Sequence, residues 1–197
     1  MKKIILATRN EGKLREFNHA FEGTGMVFVS LKDIPGAPEV EEHGDTYAQN
    51  ALIKARAIAE RTGLPTVADD SGIEIAAMPG ELGVKSARYA GDRPYAQVNA
   101  EILEKLAGTQ NRACRYVCAI AFVDSASGRE ELVEATCEGV IHTKQEGDQG
   151  FGFDPIFLVP EYGKTMAQLP LEAKNSISHR AKAIEKLKKL LGQPMGA

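Results

Sequence analysis

The run from Lys3 to Ala7 is continuously apolar after its first residue, the pattern of a strand covered on both faces. Leu14, Phe17 and Phe21 then fall at i, i+3 and i+7, which predicts an amphipathic helix with Asn10 as its N-cap and Gly23 or Gly25 as its stop. Val27-Phe28-Val29 gives a second strand, so the chain opens as a β-α-β unit. After an acidic loop from Pro35 to Gly44, Thr46-Tyr47-Ala48-Gln49 has the spacing of a capping box. The helix it opens buries Leu52, Ala55 and Ile58 and ends at Thr62-Gly63-Leu64-Pro65, with Asn50 and Lys54 sharing another face at i and i+4. Leu64 to Ala68 reads as a short buried strand that delivers Asp69-Asp70-Ser71-Gly72 at its end.

Beyond that point, Pro79 to Pro94 is rich in Gly and Pro and reads as a long loop. Tyr95 to Leu106 is a helix with Val98, Ile102 and Leu106 on one stripe. Arg115 to Val123 and Glu130 to Val140 are two β-rich runs joined by the hairpin loop Asp124 to Gly128. Gly147 to Pro155 is a glycine-aromatic turn before the strand Ile156 to Val159. Pro170 to Ser178 leads into a last helix, capped by Ser178, lined by Ala181, Ile184, Leu187 and Leu191, and stopped by Gly192 with Pro194.

At 197 residues and 43% hydrophobic, the chain can build one large domain or two closely packed lobes. A net charge of -3 lacks the basic excess of a nucleic-acid coat protein, so no nucleic-acid partner is expected. The apolar run at the N-terminus is too short for a signal-peptide core, and no stretch reaches the length of a membrane span, so a soluble cytoplasmic protein is expected. Three cysteines, Cys114, Cys118 and Cys137, give no disulfide framework; the first two share one face of a strand as buried packing residues.

Four groups of residues carry chemistry. The turn Thr8-Arg9-Asn10-Glu11-Gly12-Lys13, between a strand and a helix N-terminus, offers backbone N–H groups, the helix dipole and the Lys13 charge to a phosphate, or is an ordinary β-α turn. Asp69 and Asp70 are adjacent acids after an apolar strand, which repel one another unless a cation is near. Glu41 and Asp70, on segments separated by one helix, offer hard oxygen ligands suited to Mg²⁺, or Glu41 and Glu42 are a solvated acidic loop. In Phe151-Gly152-Phe153-Asp154, glycines beside aromatics let a flat ring approach and stack, with Asp154 able to accept from a ring N–H, or the segment is a tight turn with two core phenylalanines. Lys174 and the run Ser178-His179-Arg180 supply donors for an acceptor-rich target such as a purine carbonyl, or His179 is a surface residue at a helix start.

Taken in order, these pieces resemble the inosine/xanthosine triphosphate pyrophosphatases, the HAM1-like or RdgB-like family. The matching segments are Ala7 to Lys13, Glu41 through Ala51, Ala68 to Gly72, Ser86-Ala87-Arg88-Tyr89, Phe151 to Pro155, and Lys174 with Ser176 to Arg180. The resemblance implies a single α/β domain over 1–197, of two lobes around an elongated central mixed sheet flanked by helices, with the nucleotide in the cleft between them. It also implies a homodimer and Mg²⁺ dependence. Carried over by residue, Thr8, Arg9, Asn10, Glu11, Gly12 and Lys13 would hold phosphates. Glu41 and Asp70 would bind metal, with Asp69 in reserve, and Asp70 would accept the proton of the attacking water. Lys54 and Ser71 would touch substrate, and Phe151 to Asp154, Lys174, His179 and Arg180 would surround the base. Arg9 departs from the small residue common at that place in the family, and Phe153 carries no hydroxyl or indole N–H.

The implied reaction is nucleoside triphosphate plus water to monophosphate plus pyrophosphate, acting on ITP, dITP and XTP and keeping them out of DNA and RNA. Two rival readings are a Maf-like pyrophosphatase of different base preference and a nucleotide-binding regulator without catalysis.

Overall fold

The computed structural model describes residues 1–192. The stop expected at Pro194 lies outside them. The apolar run after the N-terminal lysines forms β1 (Lys2–Leu6), and Asn10 caps α1 (Glu11–Ala20) with its side chain. The chain returns through β2 (Met26–Ser30), which pairs parallel with β1 and completes the expected β-α-β unit. Phe17, Phe21 and Phe28 interlock over it, with ring centroids 5.3 and 4.9 Å from Phe28. Thr46 and Gln49 form the capping box that opens α2 (Tyr47–Thr62), and Gly63 closes it in the left-handed conformation, φ 66°. That helix buries Asn50, Ala51, Ala55, Ile58 and Ala59, while Leu52 is only half-buried.

The strand that follows is longer than the sequence pattern predicts. β3 runs for ten residues, Thr66–Ile75, and pairs parallel with β1 at its start. Asp69, Asp70, Ser71 and Gly72 therefore lie inside a strand, not at its end. Asp69 and Asp70 find partners within the protein, which offsets the cost of burying them inside the strand. Gly72 is required: a Cβ there would collide with the Gly83 carbonyl and the Ser86 hydroxyl.

Residues 79–94 are likewise more ordered than a Gly- and Pro-rich loop. A short helix, α3 (Ser86–Ala90), forms there, with Leu82, Ser86 and Ala90 buried. Ser86 Oγ accepts the Ile73 N–H at 3.0 Å and so ties the segment to β3. Next come α4 (Tyr95–Lys105), β4 (Ala113–Asp124) and β5 (Arg129–Ile141), the last two joined by the expected short turn. After the glycine-aromatic turn, β6 (Phe157–Val159) and β7 (Lys164–Thr165) lead to α5 (Leu171–Ile177), a short helix that the sequence pattern leaves as a lead-in. Ser178 stands directly before α6 (His179–Leu191), whose buried stripe uses Ala183, Ile184, Leu187 and Leu191 in place of Ala181.

The strands form one mixed, open sheet in the order β2-β1-β3-β4-β5-β6-β7, parallel where β1 meets β2 and β3 and antiparallel from β5 through β7. The residues divide into two compact units. Unit 1 comprises Met1–Asp70, Cys118–Ala135 and the chain from Arg180 on; unit 2 comprises Ser71–Val117 and Thr136–His179. Unit 1 packs α1, α6 and the adjoining strands around Phe17, Phe28, Ile120, Phe122 and Leu187. Unit 2 has its own core, in which Ile73, Val98, Ile102, Tyr116, Phe153 and Phe157 pack together. All three cysteines are free and buried; the spacing of Cys114 and Cys118 predicts burial for those two.

Candidate active site

In unit 1 the candidate residues form a dense set of charges. Asp69 is 2% exposed, and both its oxygens are occupied. Lys13 Nζ lies 3.0 Å from Oδ1 and 2.8 Å from Oδ2, and Arg180 Nε donates to Oδ2 at 3.3 Å. Burial alone would raise the Asp69 carboxyl, but Lys13, Arg180 and Lys54 together hold it well below the usual carboxylate range. Arg180 is itself buried, and Glu16 Oε2 stands 3.5 Å from its Nη1. Burial works against its charge, and the Asp69 carboxylate more than offsets that.

Asp70 is also buried, and Asn50 Nδ2 donates to its Oδ2 at 3.0 Å. Lys54, one turn on along α2, bonds Glu42 Oε1 at 2.5 Å. Burial would lower its ammonium, yet the charges of Asp69, Glu42 and Asp70 raise it above the ordinary lysine value. Three cations, Lys13, Lys54 and Arg180, thus face three carboxylates, Asp69, Asp70 and Glu42. Adjacent residues on β3 point to opposite sides, and these two aspartates accordingly have different partners.

The phosphate-loop expectation needs one correction. Asn10 Oδ1 accepts the N–H groups of Gly12 at 2.8 Å and Lys13 at 3.2 Å, so these donors are already satisfied by the helix cap. Thr8 Oγ1 accepts from the Asn10 N–H at 3.1 Å, which leaves its own O–H free to donate. Arg9 and Glu11 are exposed, and Glu11 pairs with Lys32 at 2.7 Å. Glu41 is exposed; the acid of that loop that joins the charged set is its neighbour Glu42. Among the described residues no group of three or more His, Cys, Asp or Glu side chains forms a metal cage. Asp69, with both oxygens held by cations, does not fit as a ligand in reserve. Asp70 does fit a hard divalent ion that takes one or two carboxylates and fills its shell with water and phosphate oxygens.

In unit 2 the functional residues are aromatic and directional. Asp154 is buried and has three donors: Tyr116 Oη to Oδ1 at 3.1 Å, and to Oδ2 the Phe151 N–H at 3.1 Å and Lys174 Nζ at 2.5 Å. The sequence suggests Asp154 as an acceptor for a ring N–H; its oxygens are instead engaged by the protein and fix the turn. Phe151 stands 57% exposed, with the Lys174 ammonium 5.4 Å from its ring centroid. Phe153 is buried edge-on against Tyr95, centroids 5.2 Å apart. Gly152 sits at φ 67°, a left-handed conformation that favours glycine, and its carbonyl accepts from Asn99 Nδ2 at 3.1 Å. A Cβ at Gly150, φ 82°, would strike Asp154 and Lys174. His179 stacks on Tyr116, centroids 4.7 Å apart and planes 18° from parallel. Ser71, the first residue of unit 2 on β3, is half-buried.

Of the expected set, Lys13, Asp69, Asp70, Lys54 and Arg180 come together in unit 1, and Phe151 to Asp154 with Lys174 in unit 2. Arg180 parts from its neighbour His179, because successive residues of a helix point about 100° apart. The sequence reading passes over Asn50, Glu42, Tyr116 and Asn99 as site residues. Asn50 is signalled by sharing a helix face with Lys54, and Asn99 by falling among the buried residues of α4.

The profile of the Ham1 family matches residues 4–190. The chain belongs to the Ham1 family. The dITP/XTP pyrophosphatase of Geobacillus kaustophilus is 49% identical over 95% of this chain and 93% of its own length. That of Geobacter sulfurreducens is 45% identical over 98% of each chain. The solved Staphylococcus aureus Ham1 protein superposes with a TM-score of 0.88 at 37% identity, covering 96% of this chain and 98% of its own. The Coxiella burnetii HAM1 protein gives the same TM-score, 0.88, at 38% identity, covering 97% and 98%. The open mixed α/β sheet is thus the fold of this family.

Proposed function

We propose that this protein hydrolyses non-standard purine nucleoside triphosphates, ITP, dITP and XTP, to the monophosphate and pyrophosphate. It thereby clears them from the nucleotide pool before they enter DNA or RNA. The observation that carries this reading is the near-full-length match to relatives named dITP/XTP pyrophosphatase, at 41–49% identity.

The charged set of unit 1 takes the triphosphate. Lys13, partly exposed beside Asp69, offers its ammonium to the phosphates, and the Thr8 hydroxyl and Arg9 add donors at the same loop. Holding the leaving pyrophosphate in line is most of the work in phosphoryl transfer. Asp70, held by Asn50, accepts the proton of the water that attacks the α-phosphorus; the oxygen–phosphorus bond to water forms as the bond to pyrophosphate breaks. Asp70 would hold Mg²⁺, which when bound supplies neutralisation of developing negative charge and a lowered pKa for water. Asp69 keeps Lys13 and Arg180 in place and charged.

The aromatic set of unit 2 takes the base. Phe151 offers an exposed ring for stacking, and His179 and Lys174 offer donors toward a purine 6-oxygen. Adenine presents a donor at that position and leaves such groups unpaired, which in a hydrogen-bonding site discriminates by roughly 10⁴-fold or more. A homodimer in the cytoplasm is the assembly and location that accompany this function.

A panel of triphosphates with Mg²⁺, scored for pyrophosphate against orthophosphate, tests the reading. Pyrophosphate from ITP, dITP and XTP, with ATP a poor substrate, is expected. Orthophosphate release would mean an ordinary phosphatase. Tight ITP binding without release would mean a regulator, and preference for standard or pyrimidine nucleotides a Maf-like enzyme.

A further inference from the structure

Tyr116 has no place in the reaction just described, yet it touches both elements assigned to the base. Its Oη donates to Asp154 Oδ1 at 3.1 Å within the core. Its ring is sandwiched, with Phe157 on one side at 4.2 Å and 16°, and His179 stacked at 4.7 Å and 18°. Its side chain is fully inside unit 2, so it does not meet substrate across an open surface.

Each contact has a consequence. Asp154 Oδ2 carries the Phe151 N–H and the Lys174 ammonium, so the orientation of that one carboxylate sets both the exposed ring and the nearby charge. A carboxylate with donors on one oxygen only can swing about its Cβ–Cγ bond. A third donor on Oδ1 fixes the plane. Tyr116 supplies that donor and remains a donor, because burial, reinforced by the Asp154 charge, pushes its phenol well above the usual range. The stack limits the tilt of the His179 ring.

We propose that Tyr116 is a positioning residue for base selection: its hydroxyl orients Asp154, and through it Phe151 and Lys174, while its ring sets the plane of His179. This rests on the reading that Phe151 to Asp154, Lys174 and His179 take the base.

Tyr116→Phe and Tyr116→Leu separate the two contacts. Tyr116→Phe removes the hydroxyl and keeps the stack. We expect kcat/KM for ITP to fall about tenfold, the scale of a lost hydrogen bond to a charged group, through KM and not kcat. ATP turnover should change less than about twofold on the same scale, so the ITP-to-ATP preference falls about tenfold. Tyr116→Leu should lose preference further, since the His179 stack goes too. Urea midpoints measured alongside identify a variant that is merely unfolded, and Tyr116→Phe is the variant that keeps the shape. An unchanged ITP preference in folded Tyr116→Phe, or equal losses for ITP and ATP, overturns the proposal. Failure of the parent reading looks different: the unmodified protein would then show no ITP preference at all.

Discussion

Two buried aspartates, Asp69 in unit 1 and Asp154 in unit 2, solve the same problem in different ways. Each removes a carboxylate from water, with exposures of 2% and 6%. Asp69 is held by charge: the Lys13 ammonium on both oxygens and the Arg180 guanidinium on one. Asp154 is held by direction: a phenol on one oxygen, a backbone N–H and a single ammonium on the other. Charge compensation falls off slowly with distance and tolerates small displacements. Hydrogen bonds weaken steeply with angle. The first arrangement suits a polyphosphate, whose charge must be balanced; the second suits a flat ring, whose edge must be read in register.

The largest effect should come from breaking the charged arrangement. Asp69→Ala leaves two cations uncompensated and should cost about 3–5 kcal/mol in urea unfolding. A loss below about 1 kcal/mol would mean that Lys13 and Arg180 reach water instead. Arg180→Ala should cost about 3 kcal/mol, because the buried Asp69 carboxylate then keeps Lys13 as its hydrogen-bonded cation and loses the guanidinium. Its ITP-to-ATP preference should stay near that of the parent, whereas lost preference at full stability would return Arg180 to the base. Asp154→Asn should cost less, about 2 kcal/mol, because it leaves one ammonium without its carboxylate where Asp69→Ala removes the carboxylate from two cations. A larger loss than for Asp69→Ala would reverse the comparison. The smallest effect should be in acid dependence. The lowered Asp69 carboxyl contributes stability that is fully present above the unfolded value, about pH 4, and is lost as pH falls through its folded value. Stability should therefore decline below about pH 4, and Asp69→Asn should flatten that limb relative to the unmodified protein.

The legible parts of the fold were those set by local chemistry. The β-α-β opening, the Asn10 cap, the Thr46–Gln49 capping box and the stripe Val98-Ile102-Leu106 all follow from spacing within a few residues. The continuation of β3 past Asp70 did not, because what makes it possible, Lys13 and Arg180 on Asp69, comes from 56 residues before and 111 after. Ser86 likewise anchors a Gly- and Pro-rich segment through a bond to Ile73 that spacing does not reveal. In the candidate site, Asp69, Asp70 and the glycine-aromatic turn stood out because polar or glycine-rich groups are costly beside apolar strands. Tyr116 was hidden, since a tyrosine in a run of buried strand residues reads as packing. Glu41 and Glu42 could not be separated without knowing which one meets Lys54. Arg180 could not be separated from His179, its neighbour in sequence and not in contacts.

The proposed division of labour, a charged set for the chemistry and an aromatic set for the base, is tested most sharply at Asp70. The most direct measurement is pyrophosphate release from ITP by Asp70→Asn, taken with its urea midpoint and its equilibrium binding of ITP. A fall of about 10²-fold or more in kcat is expected, the scale of a lost general base, with the fold retained and ITP still preferred over ATP in binding. Near-normal turnover by the folded variant would contradict it.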